Sequence, residues 1–226
     1  RDVVGQAQTG TGKTAAVALP ILSNIDIRQT APQALVLAPT RELAIQVAEA
    51  FQTYARYIPG FHVLPIYGGQ SYGPQLSALR RGVHVVVGTP GRVIDHLDKG
   101  SLDLSQLKTL VLDEADEMVS ILKEGLDEII AELPKNRRTF LFSATMPGTI
   151  KQLIQNYLNK NVVQVSADMQ TLGNQGIDHQ YIVVDPIEKL NVLMHFLTSK
   201  EGERGIIFCK TKAAVNKLAK NLAINK

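Results

Sequence analysis

Short apolar runs rich in β-branched residues alternate along this chain with segments of helical periodicity. The runs span residues 3–4, 34–37, 62–66, 83–87, 110–112, 139–142 and 162–165. The helical segments between them span 14–24, 41–57, 74–81, a stretch through Ile94 and Leu97, 124–133 and 151–158. Alternation of strands and helices is typical of parallel sheets, whose crossovers cover both faces. We therefore expect an α/β fold, a parallel sheet with helices on both faces.

The apolar pattern stops after residue 166, which divides the chain. We expect a first domain at 1–166, a linker at 167–176 and the start of a second domain at 177–226. The last part predicts a strand (180–184), a helix (186–198), a strand (205–208) and a helix (212–222). About 50 residues barely support a core, and a two-stranded sheet is marginal. Because Arg1 opens directly into a strand, we expect a fragment that lacks both ends.

Composition excludes several classes of protein. The 226 residues are 45% apolar and 20% charged, with a net charge of +3, which permits polyanion binding without requiring it. A single cysteine, Cys209, rules out a disulfide framework and fits a reducing, cytoplasmic location; its apolar surroundings predict an inert core thiol. No apolar run approaches the roughly 18 residues of a membrane span, so we expect no membrane partner. The five histidines show no metal-ligand spacing with Cys209 and are expected to be structural or surface residues.

A glycine-rich segment follows the first apolar run. It reads Ala7-Gln8-Thr9-Gly10-Thr11-Gly12-Lys13-Thr14. Glycines there let backbone N–H groups turn inward toward a phosphate, and the following helix adds its positive end. Lys13 can reach the outer phosphates and the Thr14 hydroxyl can bind Mg²⁺. The alternative is a glycine-rich turn that only caps a helix.

Two acids stand directly after the run 110–112. Asp113 is placed to hold Mg²⁺, and Glu114 to orient and polarise an attacking water. The alternative is that residues 113–117 are simply an acidic helix start, which the helix dipole favours.

Hydroxyl residues close the run 139–142 in Ser143-Ala144-Thr145. Before Pro147 they make a plausible helix N-cap. The functional alternative is a relay of hydroxyl groups that leads from Asp116 to the second domain.

Six motifs in this order resemble those of the DEAD-box ATP-dependent RNA helicases, most of all bacterial cold-shock members. They are residues 7–14, Pro39-Thr40-Arg41-Glu42-Leu43-Ala44, Gly68-Gly69, Thr89-Pro90-Gly91-Arg92, residues 113–116 and residues 143–145. The resemblance covers almost the whole chain, and Ile207-Phe208 with Thr211 resembles the first motif of the family's second domain.

The resemblance implies two RecA-like domains that close around ATP and RNA and unwind short duplexes locally, with little sequence specificity. Lys13, Thr14, Asp113 and Glu114 are then expected to serve ATP and Mg²⁺, with Asp113, Glu114 and Lys13 catalytic. Asp116, Ser143 and Thr145 are expected to couple hydrolysis to closure. The residues expected to face RNA are Pro39, Thr40, Arg41, Gly69, Thr89, Gly91 and Arg92.

The residues support part of this assignment independently. Arg41 and Arg92 each stand near a helix start after a strand, where helix N-termini and arginines bind phosphate oxygens. Such contacts read the nucleic-acid backbone rather than its bases. For an arbitrary arginine, a solvated surface charge would be the alternative.

The chain also departs from the family pattern. The family's adenine-reading glutamine motif and its second-domain Asp and arginine fingers lie outside this sequence, so the fragment itself is expected to be poorly active. Residues 119–126 replace the usual Met-Gly-Phe-like segment. Two other functions stay open: a binding module for Mg-ATP or RNA, and a DNA-acting helicase or another P-loop ATPase.

Overall fold

The structure is a computed structural model that describes residues 1–7, 12–122, 125–166, 178, 180–200 and 202–224. The chain divides into two compact units, Arg1–Leu172 and Gly173–Lys226. The predicted linker 167–176 lies outside the described residues.

Strands and helices alternate through the first unit. Its strands are β1 (Val3–Gln6), β2 (Ala34–Leu37), β3 (Val63–Ile66), β4 (Val85–Gly88), β5 (Thr109–Leu112), β6 (Arg138–Ser143) and β7 (Val163–Ser166). Its helices are α1 (Lys13–Leu22), α2 (Arg41–Tyr54), α3 (Tyr72–Arg81), α4 (Pro90–Asp98), α5 (Ala115–Leu122), α6 (Gly125–Ala131) and α7 (Gly148–Tyr157). The predicted runs and helical segments agree with these bounds to within a few residues.

Within the described residues the strands form one sheet in the order β3-β4-β2-β5-β6-β1-β7. Every pairing is parallel. Parallel pairing aligns all carboxyl ends at one edge, where ligands of open α/β sheets bind. The predicted α/β fold is confirmed.

The central strands are apolar because both of their faces are covered. In β2, Leu35 and Leu37 belong to one core cluster, whereas Ala34 and Val36 belong to the cluster on the other face. All four are at most 1% exposed. Helices α1 and α2 pack on the Ala34 side, and α4 to α7 contribute to the Leu35 side. Each fully buried leucine contributes about 2–3 kcal/mol of transfer free energy, which fixes the register of the strands.

One helix of this unit was predicted only through the alternative of an acidic helix start at residues 113–117. Helix α5 begins at Ala115, immediately after the two acids, and carries Asp116 and Glu117 in its first turn. Acidic residues in a first turn interact favourably with the helix dipole, so the acidic-start alternative also describes this segment correctly. In the atypical segment 119–126, Val119 packs against the core and Leu126 is buried within it.

The second unit contains helices α8 (Lys189–Ser199) and α9 (Lys212–Ile224), near the predicted positions. The predicted strands 180–184 and 205–208 are wrong, because neither segment is assigned as a strand. Their apolar side chains are largely exposed; Phe208 is 90% exposed. A strand needs a hydrogen-bonded partner, whatever its propensity. The expectation of a core thiol is also wrong, since Cys209 is only half-buried.

No helix among the described residues is both long enough and apolar enough to span a membrane.

Candidate functional site

The carboxyl edges of β5, β6 and β1 bring the nucleotide-type motifs together. These strands are neighbours in the sheet, and the acids, the hydroxyl motif and the glycine-rich segment follow them respectively. The backbone N–H of Ala7 donates to Ser143 O at 3.2 Å, which continues the β1–β6 pairing beyond the strand ends. Gln8, Thr9, Gly10 and Thr11 lie outside the described residues.

Helix α1 begins directly after Gly12. Gly12 has φ 86°, a left-handed conformation that favours glycine, and it caps the helix without a side-chain hydrogen bond. Lys13 and Thr14 therefore occupy the first turn, where free N–H groups and the helix dipole favour an anion. Lys13 is buried, and Thr14 is half-buried.

A buried ion pair connects α1 to the end of β5. Lys13 Nζ lies 2.8 Å from Glu114 Oε1, and the two side chains are 8% and 9% exposed. These residues are 101 positions apart in the chain. The ion pair thus joins the first turn of α1 to the carboxyl end of β5.

Glu114 has an unusual backbone conformation. Its φ is 48°, the one positive φ of a non-glycine residue in the described part of the chain. Such a conformation costs of order 1 kcal/mol for a residue with a side chain. The chain passes from β5 to α5 within the two residues 113 and 114, and Glu117 and Met118 donate backbone hydrogen bonds to Glu114 O. The strain accompanies the inward placement of the Glu114 carboxylate against Lys13.

Asp113 is buried beside Glu114. Its N–H donates to Leu37 O at 3.0 Å, so the residue extends the β5–β2 pairing. Its Oδ1 accepts the Glu114 N–H at 3.0 Å. Burial, followed by the charge of Glu114, raises the pKa of Asp113, while Lys13 opposes the shift. Two carboxylates thus share one lysine, an arrangement that a divalent cation would relieve.

The hydroxyl motif contacts α5 rather than capping α7. Asp116 Oδ2 accepts from Thr145 N at 2.9 Å and from Thr145 Oγ1 at 2.7 Å. Ser143 Oγ donates to Thr145 O at 2.7 Å. The N-cap of α7 is Pro147, without a side-chain hydrogen bond, so the N-cap alternative for Ser143 and Thr145 is wrong.

The Asp116 carboxylate is held asymmetrically. Burial raises its pKa, but the hydrogen bonds from Thr145, together with those from Ser143 and the Asp116 backbone, outweigh burial and lower the pKa overall. Its other oxygen, Oδ1, is buried and has no hydrogen-bond partner among the described residues.

The other half of the same edge, formed by β3, β4 and β2, carries the remaining candidates. Pro39, Thr40 and Arg41 follow β2, Gly69 follows β3, and Thr89, Gly91 and Arg92 follow β4. Thr40 caps α2 by accepting the Leu43 N–H at 3.3 Å. This cap places the start of α2, and with it Arg41, at this edge.

Both arginines of this half approach the turn 68–70. The Arg41 guanidinium lies 5.1 Å from the centre of the Tyr67 ring. Its Nη1 is 3.9 Å from the position that a Cβ on Gly69 would take, and Gly69 has φ 81°. Arg92 Nη1 and Nη2 each lie 3.4 Å from Gln70 O. Arg41 is exposed, whereas the Arg92 side chain is only 13% exposed.

Sequence reasoning missed the polar residues behind this turn. Gln75 and His96 are 1% and 0% exposed, and Gln75 contacts both His96 and Arg92. A buried glutamine on an amphipathic helix was the available signal, since buried polar side chains are normally hydrogen-bonded.

The donors at the acidic end suit a hard cation. Among the described residues no group of three or more His, Cys, Asp or Glu side chains is arranged to hold a metal. Mg²⁺ needs fewer, because it retains waters and shares phosphate oxygens. Asp113 and the Thr14 hydroxyl supply oxygen ligands of the right type, and burial with the charge of Glu114 raises the pKa of Asp113, a shift that a bound cation would oppose.

The chain matches known proteins along most of its length. Residues 1–153 match the model of the DEAD/DEAH box helicase family. The "ATP-dependent RNA helicase DeaD" of Mycobacterium tuberculosis (strain ATCC 25618 / H37Rv) is 50% identical over 222 residues, which are 98% of this chain and 39% of that protein. The protein of the same name from Escherichia coli (strain K12) is 46% identical over 226 residues, covering 100% of this chain and 36% of that protein.

A solved structure agrees with the sequence comparison. The DEAD box protein from the hyperthermophile Methanococcus jannaschii superposes with a TM-score of 0.70 at 37% identity, covering 98% of this chain and 59% of that chain. The fold is therefore RecA-like, as expected. The chain spans less than two fifths of the length of the two curated relatives. Its family membership rests on the family model, the curated relatives and the solved structure together: this chain belongs to the DEAD/DEAH box helicase family.

Proposed function

We propose that the protein is an ATP-dependent RNA helicase, which couples ATP binding and hydrolysis to binding and local unwinding of RNA. The observation that carries the proposal is the buried Lys13–Glu114 pair beside Asp113, at the carboxyl ends of β1 and β5. An amine, a metal-type carboxylate and a water-orienting carboxylate within one cluster are what hydrolysis of a nucleoside triphosphate requires. The names of the relatives support the same function.

The carboxyl edges of β5, β6 and β1 form the nucleotide half of the sheet edge, and each candidate residue there has a task in this proposal. The loop 7–12 and the first turn of α1 would cradle the phosphates, and Lys13 would move from Glu114 to the outer phosphates. Thr14 and Asp113 would hold Mg²⁺, which neutralises charge on the phosphate oxygens when bound. Glu114, released from Lys13, would orient the attacking water. Asp113 would then lose the unfavourable environment that raises its pKa.

Asp116 and Thr145 would report the state of this half to the rest of the protein. Their double contact joins α5, which follows the catalytic acids, to the segment after β6. Ser143 orients Thr145 through its carbonyl oxygen. A change at Asp113 or Glu114 would therefore move Thr145. We propose Asp116, Ser143 and Thr145 as the coupling group.

RNA would bind along β3, β4 and β2. Arg41 offers an exposed guanidinium beside the Gly69 backbone, and Thr89 and Gly91 stand at the start of α4. Contacts of this kind bind phosphates, so single strands and short duplexes would be bound with little sequence specificity. In this proposal residues 177–226 are the start of a second RecA-like domain, and the protein is cytoplasmic.

The decisive experiment measures ATP hydrolysis by the full-length protein with and without single-stranded RNA. RNA should stimulate hydrolysis, and a deoxyribose strand of the same sequence should compete poorly because it lacks the 2′-hydroxyl. Equal stimulation by the deoxyribose strand would favour a DNA-acting helicase. A rate of ATP hydrolysis that neither strand changes would refute the RNA helicase function.

A further inference from the structure

A buried glutamine, Gln75 of α3, joins the elements around the turn 68–70. Its amide nitrogen donates to Tyr67 O at 3.3 Å and to Gln70 Oε1 at 2.7 Å. Its amide oxygen lies 3.1 Å from Arg92 Nη1 and 2.9 Å from His96 Nε2. A primary amide has two donor hydrogens and two acceptor positions, so Gln75 uses its full hydrogen-bonding capacity.

The chemistry of the partners fixes the orientation of this amide. A guanidinium can only donate, so the Gln75 atom that faces Arg92 must be the oxygen. The same oxygen faces His96 Nε2, which therefore carries a hydrogen. The Ser101 hydroxyl lies 2.7 Å from His96 Nδ1 and 3.0 Å from His96 O, and its single hydrogen can be donated to one of these two atoms at a time. Burial, followed by the positive charge of Arg92, lowers the pKa of His96, in keeping with a neutral ring.

Arg92 directs its donors inward. Besides Gln75, its two terminal nitrogens meet Gln70 O at 3.4 Å, and its Nε lies 3.7 Å from Asp95 Oδ2. The guanidinium carbon is 4.9 Å from the centre of the Tyr72 ring. With 13% of its side chain exposed, Arg92 has most of its hydrogen-bonding capacity committed to the protein. Its geometry is that of a clamp on the turn rather than of a free phosphate ligand.

We propose that Gln75 is a positioning residue for RNA binding, and that with Arg92 it holds the turn 68–70 at both the Gln70 carbonyl and the Gln70 side chain. This role rests on the proposed RNA binding. Gly69 is the middle residue of the turn, beside the exposed Arg41. A fixed turn keeps the Gly69 backbone and the Arg41 guanidinium together, so that a single phosphate can meet both without an ordering cost.

The test uses Gln75→Met in the full-length protein, which keeps the volume of the side chain and removes all four hydrogen bonds. Ser77→Ala, an exposed change on the same helix, is the matched control. Two quantities are measured: amide hydrogen exchange in residues 68–70, and the KM for oligouridine in RNA-stimulated ATP hydrolysis. The exchange should accelerate, and the KM for RNA should rise about tenfold, the size of one lost hydrogen bond to a charged group. The kcat at saturating RNA should change less than twofold, and the control should change neither quantity.

Unchanged exchange in residues 68–70 would overturn the clamp. Faster exchange with an unchanged KM for RNA, beside a wild-type protein that responds to RNA, would overturn the role in RNA binding alone. A wild-type protein that does not respond to RNA would overturn the proposed function and this role together. If Gln75→Met does not fold, Arg92→Lys decides by the same two measurements, because lysine cannot hold Gln70 O and Gln75 Oε1 with a planar fork.

Discussion

Replacing Glu114 by glutamine separates the chemical role of this residue from its structural role. In the structure its carboxylate neutralises Lys13 at 2.8 Å, with both side chains less than 10% exposed. The glutamine oxygen can still accept from Lys13, so the loss is the difference between a charged and a neutral hydrogen bond, about 1 kcal/mol. Asp113 gains at the same time, because the Glu114 charge that raises its pKa is removed. The net effect on the stability of the nucleotide-free protein should therefore be about 1 kcal/mol or less.

The same change should favour nucleotide binding. In the wild-type protein Lys13 must leave a buried carboxylate before it can reach a phosphate, and the variant weakens that competitor. ATP affinity should stay equal or rise, by up to about tenfold for a difference of about 1.4 kcal/mol. Turnover should fall by at least about 100-fold, since the group that orients and polarises the water has lost its charge.

The assay pairs ATP titration by calorimetry with steady-state hydrolysis of the full-length protein. Glu117→Gln is the matched control, because it removes the same charge from an exposed position three residues along the chain. Turnover within tenfold of wild type in Glu114→Gln would refute the assigned role. Loss of ATP affinity in this variant would show that the Lys13–Glu114 pair builds the phosphate site instead of competing with it.

Three further changes probe the rest of the site. Thr145→Val removes the hydroxyl hydrogen bond to Asp116, whose pKa is lowered in the folded protein, so the variant should be about 1 kcal/mol less stable at neutral pH. This deficit in unfolding free energy should vanish as pH falls through the folded pKa of Asp116. Denaturant unfolding at several pH values measures it, and a deficit that stays constant with pH would show that the bond is irrelevant. Gly12→Ala should destabilise the protein by about 1 kcal/mol, because φ is 86°, and weaken ATP binding in the same titration; unchanged values would contradict the need for a left-handed residue. Arg41→Gln should lower the salt dependence of RNA binding by about one phosphate contact, a slope change near 0.7, and an unchanged slope would remove Arg41 from the RNA face.

The position of the nucleotide half was predictable because it depends on strand ends. Sequence places Asp113 after one apolar run and Ser143 after another, and parallel pairing sends both to one edge. The φ of 48° at Glu114 was not predictable, since glutamate carries no signal for a left-handed conformation. It occurs where a strand gives way to a helix within two residues while the Glu114 carboxylate meets Lys13.

Contacts between segments far apart in the chain were the other feature that the periodicity of the sequence did not predict. That Asp116 would meet Thr145, 29 residues away, was foreseen as the relay alternative and by the family resemblance, but not by periodicity. The predicted strand 205–208 failed because apolar residues define a strand only when a neighbour supplies hydrogen bonds. Propensity is local, whereas strand formation in Gly173–Lys226 depends on pairing that the described residues do not make.

The hydrogen bond from Asp113 N to Leu37 O has a mechanical consequence. It lies on the border between β5 and β2, where the proposed nucleotide half of the edge meets the proposed RNA half. Leu37 and Ala38 are fully buried, and Arg41 is four residues beyond Leu37. A close-packed interior transmits small displacements instead of absorbing them. In the proposed function, Asp113 and Arg41 would therefore be joined by one short, rigid length of backbone, and a displacement of one residue would be transmitted to the other.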